Sequence, residues 1–356
     1  MVYCSCDYDV DQVVAGVKDA LPGVPVLGNT SFTGIVVNGG GYVGGDSPFV
    51  GVLALSDPAM AVGVAAVDRA QADDPFEAGR VLVAAAMEAA GRDSAPDYFY
   101  MAASPAEEEL YLKGISSIIG RVPFFGGSAA DNSIEGNWKL YGAEASFADG
   151  CVIACFWDGP SMTNVFTGAY RETDDFGVIT KIDGLRTIVE IDGVPAAKKY
   201  QEWSGCSDED IAGGNLLAYT VTSPLGVKDR LGDLVAIRHP MNGNEDFSIS
   251  VGNNLAEKTC VIRMEATVDE LIQSVPDTLA ELKQRMPGEP AAYHLVHCGG
   301  RRAGIDSRIG EVAEAVAKAC GDTPYLMEFT FGEYGFEGDN NNTCGGLMLS
   351  FTGFSR

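Results

Sequence analysis

Residues 2–34 read VYCSCDYDVDQVVAGVKDALPGVPVLGNTSFTG. A short apolar strand, VYCSC, comes first. Val10, Val13, Val14, Val17 and Leu21 then recur at the spacing of one helix face, and Asp9 stands where it would cap the first turn. A proline and a second apolar strand follow in VPVLGNTSFTG, and FVGVLALS at 49–56 supplies a third. Strand, amphipathic helix and strand in this order describe a sheet covered by a helix.

The same order recurs twice. DYFYMAAS at 97–104 precedes a helix through Leu112, Ile115 and Ile119, then VPFFGGSAADN at 122–132 and DGCVIACFW at 149–157. YHLVHCGG at 293–300 precedes a helix on Ile309, Val312, Ala313, Val316 and Cys320, then TPYLMEFTFGEYG at 323–335 and CGGLMLSFTGF at 344–354. Ser104 is the expected cap of the second helix. From Asp7 to Pro25 and from Ser104 to Pro123 the separations are 18 and 19 residues, against 25 from Gly299 to Pro324. The third copy therefore carries about six extra residues, which include Arg301 and Arg302. Longer helices are predicted over 76–90 and 268–286 ahead of the second and third copies. Between them, GVITKIDGLRTIVEIDG alternates β-branched residues around two Asp-Gly turns, a hairpin signal. The fold class is α/β with α+β character: internally repeated β-α-β-β units form mixed sheets covered by helices, in two related halves. The boundary is placed where ETDDF at 172–176 interrupts the strands, giving domains 1–172 and 173–356.

The chain has 356 residues, of which 46% are hydrophobic and 21% charged, enough for a large core and too apolar for disorder. Its 50 acidic and 24 basic side chains leave a net charge of −26, a field that opposes phosphate backbones and anionic lipid. Nucleic acid and membrane insertion are not expected, and no run approaches the roughly 20 apolar residues of a membrane span. Nine cysteines without a disulfide framework, together with a start that lacks the charge and apolar run of a signal peptide, point to the cytoplasm.

The nucleophile elbow GxSxG, the phosphate-binding Walker A loop and the metalloprotease motif HExxH do not occur. No catalytic residues and no metal ligands are assigned. GGGYVGG at 39–45 reads as a loop, and Cys4 with Cys6, two apart on a strand, read as core. The three histidines are His239, His294 and His297; the last two lie three apart on a strand and so face opposite sides. A single histidine could hold haem iron, so each is a candidate axial ligand. FTFGEYGFEGDNNNT at 329–343 bends at Gly332 and brings Glu333 out of an apolar strand, with Asn340 to Thr343 offering amides and a hydroxyl on the return. Arg301, just past a strand, could complement a ligand carboxylate.

Taken together and in order, PVLGNTSFTGI, VPFFGGSAADN, FADGCVI, HCGGR, FTFGEYG and the closing Asn342-Thr343 resemble the FIST family over essentially the whole chain. The resemblance implies FIST N-terminal and C-terminal regions and a sensory module for a small polar ligand, with amino acids proposed. It implies haem-dependent nitric-oxide sensing in some relatives. The candidate ligand-binding residues are Arg301, Gly332, Glu333, Tyr334, Asn342 and Thr343, joined by Asp131 and Asn132 of the second copy. Thr33-Gly34-Ile35 stands where relatives often carry a Gly-Glu-Ile-like turn, so no matching acidic site is expected in the first copy. No kinase, cyclase or DNA-binding segment is recognisable, so the expected output partner is a separate signalling protein such as a kinase. No cofactor is expected under the leading reading; haem is the alternative, as is an enzyme of unrecognised class using Glu333, for which no paired nucleophile is visible.

Overall fold

The computed structural model describes residues 1–142, 145–228, 235–336 and 342–355. It is a mixed α/β fold in which three sheets are built alike around a central strand. Val2–Cys4 pairs parallel with Gly28–Thr30 and antiparallel with Val50–Val52. Tyr98–Ala103 pairs parallel with Phe124–Ser128 and antiparallel with Gly150–Trp157. Pro290–Cys298 pairs parallel with Tyr325–Thr330 and antiparallel with Leu349–Ser355. A parallel pair needs a crossover, and helices Val10–Ala20, Glu108–Ile119 and Ile309–Cys320 lie in the three crossovers. Their apolar stripes supply the buried residues Val10 and Val14, Leu112 and Ile115, and Val312 and Val316.

The three sheets exchange strands in a closed cycle. Gly34–Val37 leaves the first unit and pairs with Tyr325–Thr330 of the third. Glu333–Phe336 leaves the third and pairs with Phe124–Ser128 of the second. Leu140–Tyr141 leaves the second and pairs with Gly28–Thr30 of the first. Strands from both ends of the chain therefore complete each other's sheets.

Strands drawn from 171–228 and 235–265 form a further sheet, with the long strand Arg171–Asp183 at its centre. One core of its own holds Ile179, Ile188, Ile191, Tyr200, Ile249 and Val261, while Val221, Ile237 and Met264 join this lobe to the core of the third unit. ETDDF lies inside that strand instead of interrupting it. The strand absorbs the segment by a register shift against Cys260–Glu265 between Glu172 and Phe176, an irregularity that leaves the strand continuous. GGGYVGG contains the strand Gly41–Gly44, paired with Gly34–Val37, in place of a loop.

The caps divide. Asp9 accepts from the Gln12 N–H at 3.2 Å as the N-cap of its helix. Ser104 does not cap: the second helix starts at Glu108, and the Ser104 hydroxyl instead accepts the Gly150 N–H at 3.0 Å, tying one strand end to its neighbour. Helices Pro75–Ala90 and Val268–Arg285 stand where predicted, the second closed by a capping box between Thr267 and Glu270.

Gly126 shows how tightly the second unit is drawn together. Its φ is +135°, and a Cβ there would come within 1.9 Å of the Met101 carbonyl oxygen on the neighbouring parallel strand. Gly126→Ala therefore adds a backbone clash to a conformation L-residues rarely adopt. It is expected to lower stability by about 3 kcal/mol, read as a fall in the urea-unfolding midpoint.

Candidate functional site

The loops that leave the carboxyl ends of the parallel strands converge on one side, the usual place for ligands in open α/β sheets. They wall a cavity of about 870 Å³. Phe32 comes from the first unit, Pro105, Ala106, Glu135 and Trp138 from the second, and Cys298, Gly300 and Phe331 from the third. The lobe closes the other side with Arg186, Asn215, Met241, Val251 and His239. The cavity thus lies between the three-sheet body and the lobe, and its size suits a small-molecule ligand.

One wall is aromatic. The Phe331 ring centroid lies 5.7 Å from that of Phe32 and 6.2 Å from that of Trp138, the latter edge-on. The facing wall is polar and anchored across the lobes. Arg186 Nη2 donates to Glu108 Oε1 at 2.9 Å and to Glu109 Oε2 at 2.8 Å, both at the start of helix Glu108–Ile119. Its Nε donates to Asn254 Oδ1 at 2.8 Å and its Nη1 to the Gly252 carbonyl at 2.7 Å. Glu108 is buried, and burial pushes its carboxyl up while Arg186 opposes the shift. Removing one partner of such a pair strands the other charge away from water.

His239 is held in this wall between two glycines. A Cβ on Gly252 would come within 2.2 Å of its ring and one on Gly346 within 2.4 Å. Burial, reinforced by Arg186 and Arg238, lowers its pKa to about 4, so the ring is neutral, and Nδ1 has no partner. A neutral imidazole is the metal-ligating form, and of the three histidines His239 lines the cavity. His294 and His297 are not among the lining residues. His294 Nε2 lies 2.6 Å from the Tyr3 hydroxyl, and His297 Nδ1 lies 2.9 Å from the Cys298 carbonyl oxygen.

The residues picked out by sequence sit one position behind the walls. Asp131 is buried, and its carboxylate accepts the N–H groups of Ser133, Ile134, Glu135 and Asn137, shaping the loop that carries Glu135 and Trp138. Asn132 pins that loop to the first unit, donating to Asp7 Oδ2 at 2.8 Å and accepting the Thr33 N–H at 2.9 Å. Glu333 is buried below Cys298 and Phe331. Its oxygens accept the Thr330 hydroxyl at 3.1 Å and the Met348 N–H at 2.9 Å. Burial pushes this carboxyl up to about 8, against those hydrogen bonds.

Arg301 is turned away from the cavity. Its Nη2 donates to the Leu271 carbonyl at 2.8 Å and to Ser274 Oγ at 2.5 Å, leaving Nε and Nη1 unpartnered. The Gly332 carbonyl accepts the Ser128 N–H at 2.8 Å. Tyr334 stacks on Phe124 and shares a 2.7 Å hydroxyl–hydroxyl bond with Ser128. Asn342 donates to the Val122 carbonyl at 2.9 Å, and Thr343 is half-buried on the same strand. Asn340 lies outside the described residues. Trp138 was findable as an aromatic in a turn-rich loop; Arg186 and Asn215 carry no local signal, because the lobe that presents them is placed by tertiary contacts.

A family model for the FIST N domain matches residues 1–194, and one for the FIST C domain matches residues 196–335. The chain belongs to the FIST family. FIST domains are generally regarded as sensory domains for small ligands. In this FIST protein both matched regions wall the cavity, the N domain from Phe32 to Arg186 and the C domain from Asn215 to Phe331. No curated protein matches the sequence. Among solved structures, cyanuric acid hydrolase from A. caulinodans aligns over 100% of both chains at 15% identity, with a TM-score of 0.30. T. maritima PurL complexed with ATP aligns over 83% of this chain and 71% of that one at 12% identity, with a TM-score of 0.24. Likeness this low carries no weight for the chemistry. Among the described residues, no group of three or more His, Cys, Asp or Glu side chains could hold a metal ion, and no helix is long and apolar enough to cross a membrane.

The neutral His239 makes a pH prediction. Its folded pKa lies below the ordinary imidazole value, so it contributes stability that is full above about pH 6.5 and is lost as the pH falls towards 4. That contribution reaches at most about 3 kcal/mol. Urea unfolding at pH 7 and pH 4.5 is expected to show a smaller pH difference in His239→Gln than in the unsubstituted protein.

Proposed function

We propose that this FIST protein is a cytoplasmic sensor that binds an amino-acid-like metabolite in the cavity and passes the signal to a separate partner such as a kinase. The observation that carries this reading is the position of the cavity between the three-sheet body and the lobe, with residues of both in its walls. A ligand touching both walls changes their relative free energy, which is what a sensory site requires. Phe32, Trp138 and Phe331 suit an apolar or aromatic ligand body. Asn215 and Glu135 suit carboxylate and amino groups at the opposite end. The volume leaves room for a ligand larger than a single amino acid. Asp131, Asn132, Glu333 and Arg301 act in this reading as supports that fix the walls. Nine cysteines without a disulfide fit a reducing compartment.

Haem is a second reading, supported by His239 alone of the three histidines. Haem would supply an iron centre for a diatomic gas, with the neutral His239 ring as its protein ligand.

A panel of amino acids and aromatic metabolites separates the two readings. A ligand of the proposed class raises the melting temperature, by about 2.7 kcal/mol of added stability at a concentration of 100 Kd, and Trp138→Ala weakens its binding about tenfold. No shift across the panel overturns the amino-acid-like reading. Reconstitution with haem tests the other: a stoichiometric Soret band that His239→Ala abolishes, and that His294→Ala and His297→Ala leave intact, is its expected signature.

A further inference from the structure

Glu333 has no nucleophile beside it in the sequence, but the fold provides one. Cys298 ends the strand Pro290–Cys298, lines the cavity and is 3% exposed. Its sulfur accepts the backbone N–H of Gly300 at 3.3 Å and of Leu347 at 3.3 Å, donors of the kind that stabilise negative charge on sulfur. Glu333 Oε2 accepts the N–H of Met348 at 2.9 Å, so the adjacent amides of Leu347 and Met348 hold the thiol and the carboxyl side by side. Arg301, fully buried with two guanidinium nitrogens unpartnered, acts electrostatically on both Cys298 and Glu333.

Core packing and the capping of helix Gly299–Ile305 account for the burial of the Cys298 side chain, but not for the carboxyl and the guanidinium buried with it. Cys151 and Cys155 are buried among hydrophobic side chains of the second unit, and Cys298 among Phe329, Leu347 and Met348 of the third, where it also lines the cavity. Burying a carboxyl and a guanidinium that do not close into an ion pair costs stability, and here both stand beside the one thiol that lines the cavity.

We propose that Cys298 is a reactive thiol of the cavity, with Glu333 as its proton acceptor, and that it adds reversibly to apolar ligands bearing an electrophilic carbon of the α,β-unsaturated carbonyl class. The sulfur forms a bond to the β-carbon while its proton passes to the Glu333 carboxylate. The π pair of the alkene moves to the α-carbon, which then takes the proton back from Glu333. Nothing is oxidised or reduced, no group leaves, and the reverse sequence frees the ligand. Burial keeps the thiol protonated at rest, so attack and proton transfer must be coupled, the situation in which a general base is effective. The aromatic wall of Phe32, Trp138 and Phe331 suits the apolar body of such a ligand. The inference does not depend on an amino-acid-like ligand, because thiol labelling and thermal shift report separately.

The test is N-ethylmaleimide labelling of the full chain, read cysteine by cysteine by mass spectrometry, with exposed Cys260 as the internal reference. Cys298 is expected to react about a hundredfold faster than buried Cys151 and Cys155, and Glu333→Gln to slow it about a hundredfold with the Cys260 rate unchanged. The groups facing Glu333 are Cys298, Arg301 and Tyr170, and the Cys298 rate is expected to rise through about pH 8 and level off. Labelling of Cys298 no faster than Cys151, or unaltered by Glu333→Gln, overturns the proposal. Should the variant not fold, the pH profile decides: a rate still climbing well above pH 9 reports the thiol's own ionisation and equally overturns it.

Discussion

The side chains of Tyr3, Asn29, Tyr100, His294 and Glu328 meet in the interior where the three similar sheets come together, and all are buried. The Tyr3 hydroxyl lies 2.6 Å from His294 Nε2 and donates to the Tyr100 hydroxyl at 3.3 Å. Tyr100 donates to Asn29 Oδ1 at 2.8 Å, Asn29 donates to Glu328 Oε2 at 2.7 Å, and Glu328 Oε1 lies 3.2 Å from His294. Each of the three units contributes. A buried polar group without a partner costs more than a made hydrogen bond returns, so no unit can shift without leaving the others unsatisfied. The phenyl ring of Phe125, 5.4 Å from His294 and from Tyr100, seals the network.

That constraint places everything above it. With the three sheets locked at one point and laced by exchanged strands, their loops must converge at the same end. Phe32, Trp138, Phe331 and Cys298 become neighbours although they are drawn from separate parts of the chain. The second lobe is held against them by the clasp of Glu108 and Glu109 on Arg186. Arg186 of that clasp also lines the cavity. Arg186 thus serves both to dock the lobe and to shape the site.

Much of the fold was legible locally. Periodicity placed the helices, since each buries an apolar stripe against a sheet, and the Asp-Gly turns of the middle segment proved to be hairpin turns. The failures have physical causes. Ser104 looked like a cap because serine caps helices, but its hydroxyl was taken by the Gly150 N–H across the sheet. ETDDF looked like a break because it is acidic, but an exposed strand tolerates charge on its solvent face. The candidate site was legible at one remove: Asp131, Asn132 and Glu333 stand out because they satisfy backbone groups in the loops that build the cavity, while the residues facing the cavity are ordinary in type.

The order of strands and helices follows from VYCSCDYDVDQVVAGVKDALPGVPVLGNTSFTG and its two counterparts, because burial of an apolar face is a local, periodic property. Family membership is legible there too, in short motifs whose order and spacing survive. Which sheet receives each hairpin, how the second lobe docks and which thiol meets Glu333 were decided only by the tertiary structure. Those outcomes depend on hydrogen bonds and charges between residues far apart in the chain, such as Tyr3 with His294 and Arg186 with Glu108, and no local pattern records them.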